Sequence, residues 1–164
     1  IVEAQAEPLF YIGSFGIPLP YVITGQIIGF GIFLTASLAE LSRIPFDMPI
    51  AESELTMGYL TEYSGLRFTM FFLGEYAGMV TLAAIASTLY LGGYSVPGVS
   101  DDALNFIGPM VLVGKIGVLA FLFIWMRWTF PRLREDQLQS MAWRWLIPLS
   151  LVNILGTAIF KVVL

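Results

Sequence analysis

FTMFFLGEYAGMVTLAAIASTLYL, residues Phe68–Leu91, is an apolar run broken by a single charged side chain, Glu75. Its length suffices for a helix to cross hydrocarbon, which takes roughly 20 residues. Three further stretches, Tyr21–Leu41, Ile107–Trp128 and Trp145–Val163, have similar length and character. Backbone amides in lipid must bond within their own segment, so all four are expected to be helices. The fold class that follows is an all-α polytopic membrane protein with four transmembrane helices. Composition agrees, with 57% hydrophobic residues, 12% charged residues and a net charge of −4. Gly25, Gly29, Gly74 and Gly78 stand at the small-xxx-small spacing that lets helices approach closely, and packing is the simpler account of them.

Arginine placement sets the expected orientation. Arg127, Arg132, Arg134 and Arg144 lie around the connection 129–144, and Arg43 and Arg67 flank the connection 42–67. Both connections are expected on the cytoplasmic side. The segment 1–20 and the loop 92–106 carry acids but neither Lys nor Arg, and are expected outside. Lys161 is the exception, placed where its stem can snorkel to the interface. The chain opens Ile1-Val2-Glu3-Ala4-Gln5, without an initiator Met or a cleavage signal, and reads as the middle of a longer gene product. Four helices carrying acids without a closed site of their own lead us to expect partners.

Several chemistries are excluded for this chain. With no Cys and no His it offers no iron–sulfur ligation, no Cys- or His-based zinc site and no histidine-dependent triad. No metal site and no directly catalytic residue is expected. The acidic balance and the lack of a basic arm or phosphate-cradling loop argue against nucleic acid as a partner.

The carboxylates need an explanation, because a charge at mid-membrane costs roughly 3 kcal/mol on insertion scales. Glu40, Asp47, Glu52, Glu54 and Glu62 crowd the stretch AELSRIPFDMPIAESELTMGYLTEYSG, residues 39–65. Pro45 and Pro49 forbid a simple helix there, so the chain should turn through Ile44–Asp47 and resume a short helix near Ala51–Tyr63. Closely spaced carboxylates oppose one another's ionisation and can hold and pass protons near neutral pH. The plain alternative is that these acids cap helices, pair with Arg43 and Arg67, and face water. Glu75 lies seven residues beyond Phe68, about 10 Å along the helix, with Phe71, Phe72, Gly78 and Met79 on its face. Lys115 occupies a similar place in the third span. Either the two form a buried Glu–Lys pair or they belong to a polar path.

The run SRIPFDMPIAESELTMGYLTEYSGLRFTMFFLGEY, residues 42–76, followed by STLYLGGY, closely resembles the quinone-site membrane subunit of respiratory complex I. RWTFPRLREDQL and WRWLIPL resemble the connection between the last two helices of the same family. The likeness covers nearly all of the chain and matches the C-terminal half of that subunit. Membrane subunits of energy-converting hydrogenases share the PFD core, whereas the AESEL and EYSGLRFTMFFLGEY portions look more like the complex I branch.

The resemblance implies that Glu40, Glu52, Glu54, Glu62 and Glu75 line a polar funnel leading from a quinone cavity, and that Lys115 is a basic residue of the following helix. It also implies that Arg43, Phe46, Asp47 and Phe72 lie at or near the quinone passage. Quinone would be the substrate, with flavin and iron–sulfur clusters confined to partner subunits of the membrane and peripheral arms. The membrane would be a prokaryotic-type plasma membrane. One departure stands out, since the family often has Glu where this chain has Ile50. The alternatives are a structural docking subunit, or an ion-translocating subunit of a hydrogenase-type or ferredoxin-linked complex.

Overall fold

A computed structural model describes residues 2, 5, 10–12, 15–17, 20–21, 25–47, 58–96 and 101–163. A small antiparallel hairpin comes first, β1 (Phe10–Ile12) paired with β2 (Phe15–Ile17), Tyr11 standing opposite Gly16. Helices follow: α1 (Ile27–Glu40), α2 (Leu66–Tyr90), α3 (Asp101–Thr129), α4 (Glu135–Met141) and α5 (Ile147–Val163), with a π-helical turn at Ala142–Leu146 joining the last two. Apart from this hairpin the described elements are helical, and the molecule is a polytopic membrane protein. Leu66–Tyr90, Phe106–Thr129 and Glu135–Ile159 are long and apolar enough to cross a membrane, and α1 is a shorter apolar helix.

Helix boundaries differ from those read off hydropathy. The first span was expected from Tyr21, but its described helix begins at Ile27, after Gly25 takes φ +105° outside helical space. Its 14 residues rise about 21 Å, short of a hydrocarbon core of roughly 30 Å. The last span was expected from Trp145, yet the helical path starts at Glu135. Glu135 and Asp136 favour an N-terminus there by charge, and the Gln137 side-chain oxygen accepts the Arg134 amide at 3.2 Å. The connection expected over 129–144 therefore shrinks to Phe130–Arg134. The helix continues past Pro148 because the preceding turn widens, with the Ile147 amide bonding the Ala142 carbonyl five residues back. Proline lacks an amide donor and its ring crowds the carbonyl four residues before it, and a wide turn relieves both.

The chain forms two compact units, one of Ile1–Phe33 and Val80–Leu122, the other of Leu34–Met79 and Phe123–Leu164. In the first, the Tyr90 ring takes Phe30 and Phe33 at centroid distances of 5.4 and 5.7 Å, fixing α1 to the end of α2. Ala83, Ala86 and Ser87 are fully buried there, small residues that admit a close neighbour. In the second, Leu38, Phe46, Leu60 and Met79 are buried. Many large apolar side chains of α3 and α5, among them Met110, Phe121, Trp125, Val152 and Leu155, are exposed, as a helix bounded by lipid or neighbouring protein requires.

Of the glycines at small-xxx-small spacing, Gly78 makes a close approach: a β-carbon there would stand 3.4 Å from the Leu41 side chain, whereas one at Gly74 would meet nothing within 4 Å. Gly78→Ala is expected to be tolerated, and Gly78→Leu to overpack the contact at a cost of about 1–3 kcal/mol. Thermal melting of the purified protein in detergent checks both.

Candidate functional site

The turn after α1 is built by a specific cap. Ser42 takes φ +48°, and the Ser42 amide donates to the Ala39 carbonyl at 3.1 Å while the Arg43 amide donates to the Leu38 carbonyl at 3.3 Å. These are the two bonds of a Schellman motif, with Ser42 in the left-handed position. The Phe46 amide then closes back on the Arg43 carbonyl at 2.7 Å, and the Pro45 carbonyl accepts the Leu133 amide at 3.0 Å. The expected turn through Ile44–Asp47 is present and is tied to the connection before α4.

The cap places Arg43 where the side chain of α2 can meet it. Arg43 is 8% exposed, and its Nε donates to Glu75 Oε1 at 2.5 Å. Its guanidinium carbon lies 4.8 Å from the centroid of the Tyr76 ring. Phe46 is buried in the same turn. Arg43 Nη2 and Asp47 Oδ1 are buried without a hydrogen-bond partner among the described residues. A buried donor and a buried acceptor left open within five residues of chain are unusual, since an unmade bond costs about 1–3 kcal/mol. The turn thus holds one unused donor and one unused acceptor among the described residues.

Other expected site residues are distributed differently. Glu40 ends α1 and is exposed, and Glu62 is exposed in the turn after a 3-10 segment at Gly58–Leu60. Of the short helix expected at 51–63, only this 3-10 turn is described; Glu52, Glu54 and Ile50 lie outside the described residues. Phe72 is 42% exposed on α2, stacked on Phe68 and in tilted contact with Tyr76.

Glu75 and Lys115 each have partners within their own unit. Glu75 has Arg43, and the Lys115 ammonium donates to the backbone carbonyls of Leu91, Gly93 and Ser95 at 2.7, 2.8 and 2.9 Å. A lysine has three donors, and all three are used. The turn that offers these carbonyls needs glycine, since Gly92 and Gly93 take φ +73° and +57°. Gln5 completes the cap: 3% exposed, it donates to the Thr88 and Leu89 carbonyls and accepts the Tyr21 amide. The carbonyls left open where α2 ends are thus met by two side chains distant in sequence, and Lys115 also complements the negative end of the helix dipole. A cavity of about 440 Å³ beside them is lined by Gln5, Pro20, Gly92, Val96, Val111 and Lys115 and includes no residue of the Arg43–Asp47 turn.

A model of the family described as NADH dehydrogenase matches residues 1–158. The chain belongs to that family. An H-type subunit of the NADH-quinone oxidoreductase of Koribacter versatilis is 51% identical over 138 residues, 82% of this chain and 39% of the relative. The protein of the same name in Syntrophobacter fumaroxidans is 48% identical over 157 residues, covering 96% of this chain and 45% of the relative. The H-type subunit of the Deinococcus radiodurans NADH-quinone oxidoreductase is 45% identical over 161 residues, 96% of this chain and 38% of the relative. The chain thus spans less than half the length of these curated NADH dehydrogenase relatives.

Two residues of these clusters, Tyr76 and Gln5, carry no strong signal in the sequence. Tyr76 follows Phe68 and Phe72 at intervals of four, a spacing that signals one helix face, but nothing local marks it as the seat of a cation. Gln5 is invisible to periodicity because its partners are 16, 83 and 84 residues away.

Lys115→Met is expected to leave three carbonyls without their donor and to lower stability by about 1–3 kcal/mol, with Lys115→Arg losing less. Melting of the protein in detergent reads this. A fall in proton transfer with unchanged melting would instead assign Lys115 to a proton path.

Proposed function

We propose that this chain is part of the membrane arm of a proton-translocating NADH:quinone oxidoreductase, where it helps form the quinone chamber and the acidic path that links quinone reduction to proton movement. The observation that carries this is the Arg43–Glu75 ion pair, set beside an open guanidinium donor and an open Asp47 acceptor. Family membership and the names of the relatives favour quinone as the substrate over the chemistry of a hydrogenase-type complex.

Quinone takes up two electrons and two protons on becoming quinol. The chain has no Cys and no His, and its likeness to complex I implies that the electrons arrive from flavin and iron–sulfur centres in partner subunits. Quinone presents carbonyl acceptors and quinol presents hydroxyl donors, matching Arg43 Nη2 and Asp47 Oδ1 respectively. Phe46 and Phe72 supply the apolar walls a ring requires, one buried in the turn and the other on α2.

Negative charge arriving beside Arg43 competes with Glu75 for the guanidinium. A carboxylate that loses its cation in an apolar span is left uncompensated, and a proton is the alternative neutraliser. Redox chemistry at the turn is thereby coupled to protonation on α2. Asp47, with Glu52 and Glu54, responds first, and Glu40 and Glu75 carry protons inward, with Glu62 at the exposed edge. Lys115, whose donors are all engaged, serves to hold the end of α2.

The acidic turn and the Phe130–Arg134 connection face the cytoplasm, as their arginines favour, and bacterial relatives support a prokaryotic plasma membrane. The remaining membrane-arm subunits and the peripheral arm complete the site.

Glu75→Gln keeps an acceptor for Arg43 but removes the charge. In the assembled complex reconstituted in vesicles, quinone reduction should continue while protons moved per quinone fall at least twofold; an unchanged ratio removes Glu75 from the path. Arg43→Ala should raise KM for quinone about tenfold or more, the size of a charge-assisted hydrogen bond lost, with the complex still assembled. Loss of assembly with normal KM in the residual complex would favour the docking role instead.

A further inference from the structure

The Arg43 guanidinium touches two consecutive residues of α2. Glu75 binds its Nε edge at 2.5 Å, and the Tyr76 ring meets its carbon at 4.8 Å from the centroid. Consecutive helical residues project about 100° apart, so a cation that meets both lies across the angle between them. Such a cation is fixed in two ways. The carboxylate sets which edge of the guanidinium is engaged, and the ring, whose face is electron-rich, attracts the positive charge toward itself. Nη2 is then the group left over, buried and unpartnered among the described residues.

Tyr76 is itself held. Its ring packs on Phe72 with centroids 5.2 Å apart, and Phe72 stacks on Phe68 at 5.9 Å with planes 26° apart. Three rings at intervals of four make a ladder along one face of α2, and Arg43 sits at its end. A cation resting on a ladder anchored to a membrane helix has less freedom to rotate than one held by a carboxylate alone.

We propose that Tyr76 is a positioning residue: its ring holds the Arg43 guanidinium so that Nη2 stays free of Glu75 and is presented to a carbonyl acceptor on the substrate. This rests on the reading of Arg43 as quinone-binding and extends it to a residue that does not touch substrate. The phenol hydroxyl has no part in the role, because the ring face alone supplies the attraction.

The test uses the complete complex, a short-chain soluble quinone, and KM and kcat measured separately. Tyr76→Met fills space without a ring and should raise KM about tenfold, the scale of a desolvated cation–π contact, with kcat changed less. Tyr76→Phe should recover most of that loss. Arg43→Gln removes the cation, so Tyr76→Met added to Arg43→Gln should raise KM no further, a coupling that a double-mutant cycle isolates. Tyr76→Leu is the second ring-free variant should Tyr76→Met fail to assemble. Equal multiplication of KM by Tyr76→Met in both backgrounds, or a Tyr76→Phe defect as large as that of Tyr76→Met, overturns the positioning role alone. An unchanged KM in Arg43→Gln overturns the quinone reading of Arg43, and the positioning role with it.

Discussion

A charge carried into an apolar helix must be answered inside the protein, and the Arg43–Glu75 pair is where this chain answers it. The acid alone would be a defect in α2, and the arginine alone would be a buried cation. Together they join the turn after α1 to α2 through one short contact, and the groups around the turn hold it in place. The Schellman cap at Ser42 brings Arg43 out of the helical path, the bond from the Leu133 amide to the Pro45 carbonyl holds the turn from its other side, and Tyr76 receives the guanidinium on its ring. Breaking a buried pair by removing one member costs more than the pair itself contributes, because a lone charge remains. Such a site is sensitive to anything that draws its cation away.

The other end of α2 shows the same requirement met without an acid. Lys115 brings a positive charge into α3, and backbone carbonyls neutralise it through their dipoles. Gln5 takes the Thr88 and Leu89 carbonyls, so the helix end is covered by groups from two other segments. The two charged centres solve one physical problem in two ways. One pairs a cation with a carboxylate, and the other pairs it with backbone carbonyls.

What the sequence made legible follows from range. Apolar runs long enough to span lipid are local facts, and they led to α2, α3 and the last helical segment. Pro45 and Pro49 are local as well, and the turn at Ile44–Asp47 is present as their chemistry demands. The isolation of Glu75 in an apolar stretch correctly marked it as a residue needing a partner, but spacing along the chain could not say which cation would reach it. Lys115, deep in a neighbouring span, was a natural candidate; Arg43 prevailed because a helix cap, rather than hydropathy, fixed where its side chain starts. The three-residue strands of the hairpin were likewise hidden, since so short a run of Phe10–Ile12 and Phe15–Ile17 carries no readable alternation. Helix ends were misplaced where polar residues, such as Glu135–Gln137, are helical without being apolar.

The wide turn at Ala142–Leu146 carries a consequence for how the last helical segment faces its surroundings. A π turn takes in about one residue more than an α turn, and each residue advances an α-helix by about 100°. The side chains of α5 are therefore out of phase with those of α4 by roughly that angle compared with an unbroken α-helix. A helical wheel drawn continuously from Glu135 to Val163 would assign the wrong azimuth to every residue of one half. Pro148 thus acts as a rotational setting, deciding which flank of α5 shares a side with the polar first turn at Glu135 and Asp136.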